Sequence, residues 1–225
     1  MKSNKMVTYK LSPSSLNLFN ECKRCFWLTQ HKVWKRPSGP FPQLPNGMDR
    51  ILKAHFDNFM KKGKLPPEIR EHHHTAGLKL FDNEELLKEW RNAFKGISWQ
   101  DENGNILHGG VDNILVHGEK LIVLDYKTKG HPIKDETEAG KGYQNQLDVY
   151  NYLLRKNGYE TENYAFLLFY MPDRVLETGE VVFNTLLARR EININNAEKL
   201  FKEAINLLNN ECPEEGCEWC GMIGR

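Results

Sequence analysis

Two hydrophobic periods divide this chain into helices and strands. Apolar residues at three-to-four spacing predict a helix from Ser12 to about Gln30, built on Leu16, Phe19, Phe26 and Trp27. Ser12 suits its N-cap and Pro13 its first turn. The same period predicts a helix after Asn46 and Gly47 through Met48, Ile51, Leu52, Phe56 and Phe59, and another over residues 83–95. Further helices are expected from about Tyr143 to Asn157 and over residues 195–208. Strands are expected near Ile97 to Asp101, from Ile106 to His117 after a turn at Asn103 and Gly104, and at Leu121, Tyr164 to Tyr170 and Val181 to Leu187. This order predicts one α/β domain over residues 1–225, with a mixed central sheet flanked by helices.

Two strands carry charge where a buried strand should not. Leu121 to Leu124 is a continuous apolar run, which reads as a strand covered on both faces, and it ends in Asp125, Tyr126 and Lys127. Side chains alternate along a strand, so Asp125 and Lys127 share a face and Tyr126 points the other way. Asp112 lies in GGVD between Val111 and Ile114, on the strand expected to pair with this one through a turn at Gly118. An isolated buried carboxylate costs several kcal/mol, so Asp112 has to be paired, solvated or metal-bound. On the helix that follows, Gln146 and Tyr150 stand one turn apart on one side. His55 falls within the apolar stripe of its helix, where a histidine is ordinarily a hydrogen-bonded packing residue.

Charge sharpens the picture only when the chain is divided. The net charge is +1, but residues 1–64 carry +10 and the remainder −9. A basic N-terminal third suits a polyanion such as nucleic acid. No apolar run reaches the ~20 residues needed to cross a bilayer, and the N-terminus has no signal-peptide core, so a soluble intracellular protein is expected. The five cysteines form two groups, Cys22 with Cys25 and Cys212 with Cys217 and Cys220. Pairs of the form CxxC in a reducing compartment hold metal more often than they form disulfides. Spacing alone allows either tetrahedral Zn²⁺ or an iron–sulfur cluster.

GGVD at Gly109 to Asp112, DYKT at Asp125 to Thr128 and QLDVY at Gln146 to Tyr150 occur in this order with suitable elements between them. In these motifs the chain resembles the PD-(D/E)XK nuclease superfamily, in its RecB-type and CRISPR-associated exonuclease branch. The opening SSLNLFNECKRCFWL and the closing CEWC resemble the ends of members that carry four cluster-binding cysteines. The resemblance implies a restriction-endonuclease-like fold and a metal-dependent DNA nuclease, expected to be an exonuclease. It implies catalytic positions at Asp112, Asp125, Lys127, Gln146 and Tyr150, and metal ligands at His55, Asp112, Asp125 and the backbone of Tyr126. It also implies a [4Fe–4S] cluster tying the chain termini together.

The chemistry accounts for these residue types. Phosphodiester hydrolysis needs an activated water and compensation for charge on the phosphate, and Mg²⁺ or Mn²⁺ supplies both. Hard ions take oxygen ligands, and a histidine nitrogen shifts the preference toward Mn²⁺. Cys22, Cys25, Cys217 and Cys220 are the expected cluster ligands because they form two tight pairs, with Cys212 as the alternative to Cys25. The basic N-terminal part, with Phe26, Trp27, Trp34 and Phe41, is expected to face DNA, single-stranded or at duplex ends. No helicase motif is present, so any unwinding partner would be a separate protein. The competing expectations are a non-catalytic nucleic-acid-binding protein of the same fold and a zinc-stabilised structural protein.

Overall fold

The computed structural model describes residues 7–37, 39 and 43–223. It has the expected mixed α/β fold with a central sheet flanked by helices, and adds a second, three-stranded sheet beside the five-stranded one. A short strand β1 (Lys10–Leu11) leads into helix α1 (Pro13–Glu21), where Ser12 and Ser15 form a reciprocal capping box. The expected single helix stops at Cys22, whose backbone is extended at φ −159. Cys22 instead caps a second helix, α2 (Lys23–Gln30), its sulfur accepting from the Cys25 N–H at 3.4 Å. The two thiols therefore sit at a helix start and not on the side of a continuous helix.

Helix α3 (Gln43–Met60) begins before Asn46 and buries Met48, Leu52, Phe56 and Met60. The short helix α4 (Pro67–Arg70), strand β2 (Lys79–Leu80) and helix α5 (Glu84–Trp90) follow. Next come strands β3 (Ile97–Gln100), β4 (Ile106–Gly109), β5 (Asn113–His117) and β6 (Lys120–Thr128). Helices α6 (Glu136–Lys141) and α7 (Gln144–Lys156), strands β7 (Tyr164–Val175) and β8 (Val181–Glu191), and helix α8 (Ile194–Leu208) complete the order. The small sheet is ordered β1-β4-β3 and the large one β2-β5-β6-β7-β8. In the large sheet only β6 and β7 pair in parallel, and α6 and α7 make the crossover between them.

The strand expected over residues 106–117 is cut at GGVD, and packing explains the cut. A Cβ on Gly109 would come within 2.5 Å of the Tyr150 ring, so only glycine lets α7 lie this close to β4. Beyond it the chain leaves the small sheet and is tied to α5. The Val111 N–H donates to the Trp90 carbonyl at 3.1 Å, and Arg91 Nε donates to the Asp112 carbonyl at 2.8 Å. β5 then joins the large sheet, with Asn113 opposite Leu124.

The large sheet is covered on both sides. Tyr126 packs its ring against Phe56 of α3, with centroids 4.8 Å apart, while Asp125 faces Gln146 of α7. β6 is accordingly buried from Leu121 to Tyr126. Helix α7 is pinned to α8 by the buried Asp148 carboxylate, which accepts from the Asn193 N–H at 2.9 Å, Asn196 Nδ2 at 2.8 Å and Gln144 Nε2 at 2.8 Å. Among the described residues, no helix is long and apolar enough to cross a membrane.

Candidate active site and four-cysteine centre

The β5–β6 hairpin sets Asp112 and Asp125 side by side at the point where the chain passes between the sheets. Asp112 Oδ2 accepts from the Tyr126 N–H at 2.9 Å, which locks one carboxylate to the strand carrying the other. Asp125 is 1% exposed, pairs closely with Lys127 Nζ through Oδ2, and accepts from Gln146 Nε2 at 3.3 Å through Oδ1. Gln146 also donates to the Tyr150 hydroxyl at 2.7 Å. Five residues expected from the motifs, Asp112, Asp125, Lys127, Gln146 and Tyr150, thus stand in one contact chain.

The electrostatics follow from burial and crowding. Burial, and then the neighbouring Asp112, lift the Asp125 carboxyl from its ordinary 3.8 to about 7, against the pull of Lys127. Burial disfavours the Lys127 ammonium, but Asp125 and Asp112 outweigh it and raise its pKa. Two carboxylates facing each other with ammonium groups against them form a site whose oxygens suit a hard cation. The donor set therefore fits Mg²⁺ or Mn²⁺ at Asp112 and Asp125.

Two residues enter this site that the sequence reading missed. Lys53 Nζ of α3 lies 3.1 Å from Asp112 Oδ1 and 2.8 Å from Asp49 Oδ1. The signal was available, because Asp49 and Lys53 lie four apart on the polar side of α3. His55, expected at the metal, is two residues further along, about 200° around the helix from Lys53. Its contacts lie elsewhere: Nε2 is 2.9 Å from Glu68 Oε1, an oxygen that accepts a hydrogen bond from the Tyr170 hydroxyl at 2.7 Å. Arg91 was also missed; it holds the backbone of Asp112 while its Nη1 grips both Asp57 oxygens, at 2.8 and 2.9 Å.

Several expected roles change in three dimensions. Tyr150 is 4% exposed with its ring against Gly109, so it orients Gln146 and cannot stack on a nucleic acid strand. Phe26 is fully buried in the core and is likewise no part of a surface for DNA. Trp27 stacks on His31 at 3.8 Å and donates to the Asn210 carbonyl at 2.9 Å, tying α2 to the C-terminal segment. Trp34 is half-buried, and Phe41 lies outside the described residues. The Tyr126 ring points away from the carboxylates, its hydroxyl accepting from Asn113 Nδ2 at 2.7 Å.

The cysteines meet as a second centre. Ligand atoms of Cys22, Cys25, Cys217 and Cys220 all lie within 4.8 Å of one another. Cys25 Sγ is 3.5 Å from Cys217 Sγ and 3.3 Å from Cys220 Sγ, and Cys22 Sγ is 3.8 Å from Cys220 Sγ. Cys212 stands apart from this quartet, its thiol 3.7 Å from the Pro213 carbonyl. Gly216 makes the approach possible, since a Cβ there would meet Cys220 Sγ at 2.8 Å. Arg24 fastens the loop by donating to the carbonyls of Pro213 at 2.7 Å and Glu214 at 3.1 Å, and Arg36 donates to Cys217 Sγ at 3.5 Å. Burial opposes ionisation of Cys217, but hydrogen bonds from the Cys220 N–H and the neighbouring thiols bring it down to about 6. Burial and the same neighbours push Cys25 up to about 12 despite Arg36. Four sulfurs about 2.3 Å from one tetrahedral ion stand about 3.8 Å apart, the scale of these contacts.

Residues 10–224 match the family model of the PD-(D/E)XK nuclease superfamily. A stretch of 75 residues is 31% identical to part of an ATP-dependent helicase/nuclease chain from Limosilactobacillus fermentum (strain NBRC 3956 / LMG 18251). That match covers 32% of this chain and only 6% of the much longer relative. The crystal structure of SSO0001 aligns over 93% of this chain and 81% of its own, at 13% identity and a TM-score of 0.47.

Proposed function

We infer, because the chain belongs to the PD-(D/E)XK nuclease superfamily, that it is a metal-dependent deoxyribonuclease that works from strand ends. The observation that carries this reading is the convergence of Asp112, Asp125, Lys127 and Gln146 where the chain crosses between the sheets. A divalent ion held by the Asp112 and Asp125 oxygens, and by the Tyr126 carbonyl, would supply a more acidic water and offset charge on the phosphate.

The chain's own groups then have separable tasks. Lys127, on the same strand face as Asp125, orients the attacking water or neutralises the phosphate beside it. Gln146 keeps the Asp125 carboxylate turned toward the site, and Tyr150 holds Gln146 from a buried position. Lys53 adds positive charge on the Asp112 side. Burial of Asp125 strengthens these interactions by removing competing water.

The four-cysteine centre is read as a [4Fe–4S] site, the occupant implied by the resemblance to cluster-bearing nucleases. The thiol spacing of 3.3–4.0 Å around Cys25 and Cys220 favours a second reading, a single Zn²⁺. In either case it would fasten the N-terminal helices to the C-terminal segment. A separate helicase is the partner suggested by the helicase/nuclease relative.

The deciding experiment incubates the metal-replete protein with end-labelled single-stranded, duplex and circular DNA in Mg²⁺ and in Mn²⁺. Progressive loss of the label with circles untouched is the expected result. Cleavage of circles would show an endonuclease, and no cleavage in either metal would sink the enzymatic reading in favour of a binding protein. Metal analysis and the visible spectrum of anaerobically purified protein separate iron from zinc.

A further inference from the structure

Two cavities adjoin the elements that carry the paired carboxylates. One of about 440 Å³ opens on the Asp112 and Lys53 side, and one of about 670 Å³ lies beside residues 129–142. The second is joined to the catalytic strand through Tyr143. The Lys127 ammonium sits 4.8 Å and the Lys129 ammonium 5.3 Å from the centroid of the Tyr143 ring. Phe169 of β7 supports the ring from the core side at 6.1 Å. Tyr143 immediately precedes α7, so its backbone is set by the same helix that delivers Gln146.

The lining of this cavity has two characters. Among the described lining residues, Tyr143 and Ile133 offer apolar surface, Lys129 and Lys134 offer positive charge, and Asp135 is the acid. An apolar ligand would have no use for the ammonium groups, and an acidic peptide none for the ring. A nucleotide needs both, a flat face for its base and cations for its phosphate.

We propose that Tyr143 is the stacking platform for a nucleobase next to the scissile phosphate, with Lys129 on the neighbouring phosphate of the same strand. The proposal deepens the nuclease reading and rests on it. Phosphates would draw the two ammonium groups from over the ring and leave its face to the base. Stacking of this kind accepts any base, so Tyr143 would position the strand without selecting sequence.

The test uses the full chain with divalent ions chelated and a single-stranded oligonucleotide carrying 2-aminopurine, whose fluorescence is quenched on stacking. Tyr143→Ala is expected to weaken binding about tenfold and to abolish bound-state quenching, whereas Tyr143→Phe and Tyr143→Trp stay within about twofold. Lys129→Met, a change at a half-buried side chain that keeps its apolar stem, is expected to reduce the slope of log K against log salt by about 0.7. Unchanged quenching in Tyr143→Ala, a Tyr143→Phe as weak as Tyr143→Ala, or an unchanged slope in Lys129→Met overturns the proposal. Its failure is distinct from failure of the nuclease reading. Tight binding and quenching without cleavage in Mn²⁺ would sink only the latter, and cleavage by Tyr143→Ala at the wild-type KM would sink only the former.

Discussion

Lys53 Nζ stands 3.1 Å from Asp112 Oδ1, so Asp112 has an ammonium partner of its own, as Asp125 has in Lys127. Lys53 reaches it from α3, on the opposite side of the hairpin from α7. Burial disfavours its charge, but Asp112 and Asp49 outweigh that and hold the ammonium protonated. A cation held here competes with a divalent ion for the same carboxylate. Lys53→Met is expected to bind Mn²⁺ about threefold to tenfold more tightly and to cut DNA about tenfold or more slowly, through loss of positive charge beside the phosphate. Calorimetric Mn²⁺ titration and single-turnover cleavage read the two effects separately. Weaker Mn²⁺ binding in the variant would refute the competition.

Asp125→Asn and Lys127→Ala should each reduce cleavage by at least about a thousandfold while leaving the far-UV circular dichroism unchanged. Asp125→Asn keeps the volume of a fully buried side chain, so lost activity is not explained by a cavity. Wild-type cleavage rates in Mn²⁺ for either variant would remove these residues from the mechanism.

The raised Asp125 pKa has a definite sign in stability. A carboxyl lifted on folding from 3.8 to about 7 favours the neutral acid in the native state. Its stabilising contribution is complete below about pH 4 and is lost as pH rises through about 7. The melting temperature of the metal-free protein should fall more steeply between these pH values than that of Asp125→Asn, which has no proton to lose there. Mn²⁺ should reverse the difference near neutral pH, because it binds the ionised form. Parallel curves for the two metal-free proteins would contradict the shift.

Asp148 supplies a contrast outside the site. Its fully buried carboxylate accepts from three donors, on Asn193, Asn196 and Gln144, and removing it breaks all three hydrogen bonds and leaves a void where α7 meets α8. Asp148→Ala should lose about 2–4 kcal/mol in denaturant unfolding. Cleavage per folded molecule should stay near wild type, and a specific catalytic loss at full stability would place Asp148 in the mechanism instead.

The cysteine quartet makes an unequal prediction for five similar side chains. Cys25→Ser should lower metal content and melting temperature, since Cys25 Sγ touches both Cys217 and Cys220. Cys212→Ser should leave both unchanged, because that thiol lies apart from the other four. The reverse pattern would select the other ligand set, with Cys212 in place of Cys25. Metal per chain and thermal unfolding are the measurements.

Local order was legible where one element decided it. The run Leu121 to Leu124 ending in Asp125 and Lys127 announced a doubly covered strand with a charged tip, because alternation and apolar continuity act over a few residues. The mixed α/β class and the α7 pair Gln146 and Tyr150 were readable for the same reason. The break at Cys22 was not, since nothing in the apolar period of residues 12–30 distinguishes one helix from two. Nor was the break at GGVD, which depends on a Tyr150 ring arriving at Gly109 from another element.

The amino-acid sequence by itself determined which residues could do the chemistry: two aspartates, a lysine and a glutamine on neighbouring elements, and cysteines near both ends. Tertiary structure alone decided which of them meet. It set Lys53 rather than His55 on Asp112, because a rigid helix shows one face to a given neighbour and these residues lie on different faces. It turned Tyr150 and Phe26 inward and left Tyr143 at a cavity, because burial belongs to the packed layers and not to the residue type. It drew Cys22, Cys25, Cys217 and Cys220 together and left Cys212 out, a distinction fixed by how the final loop passes over α2.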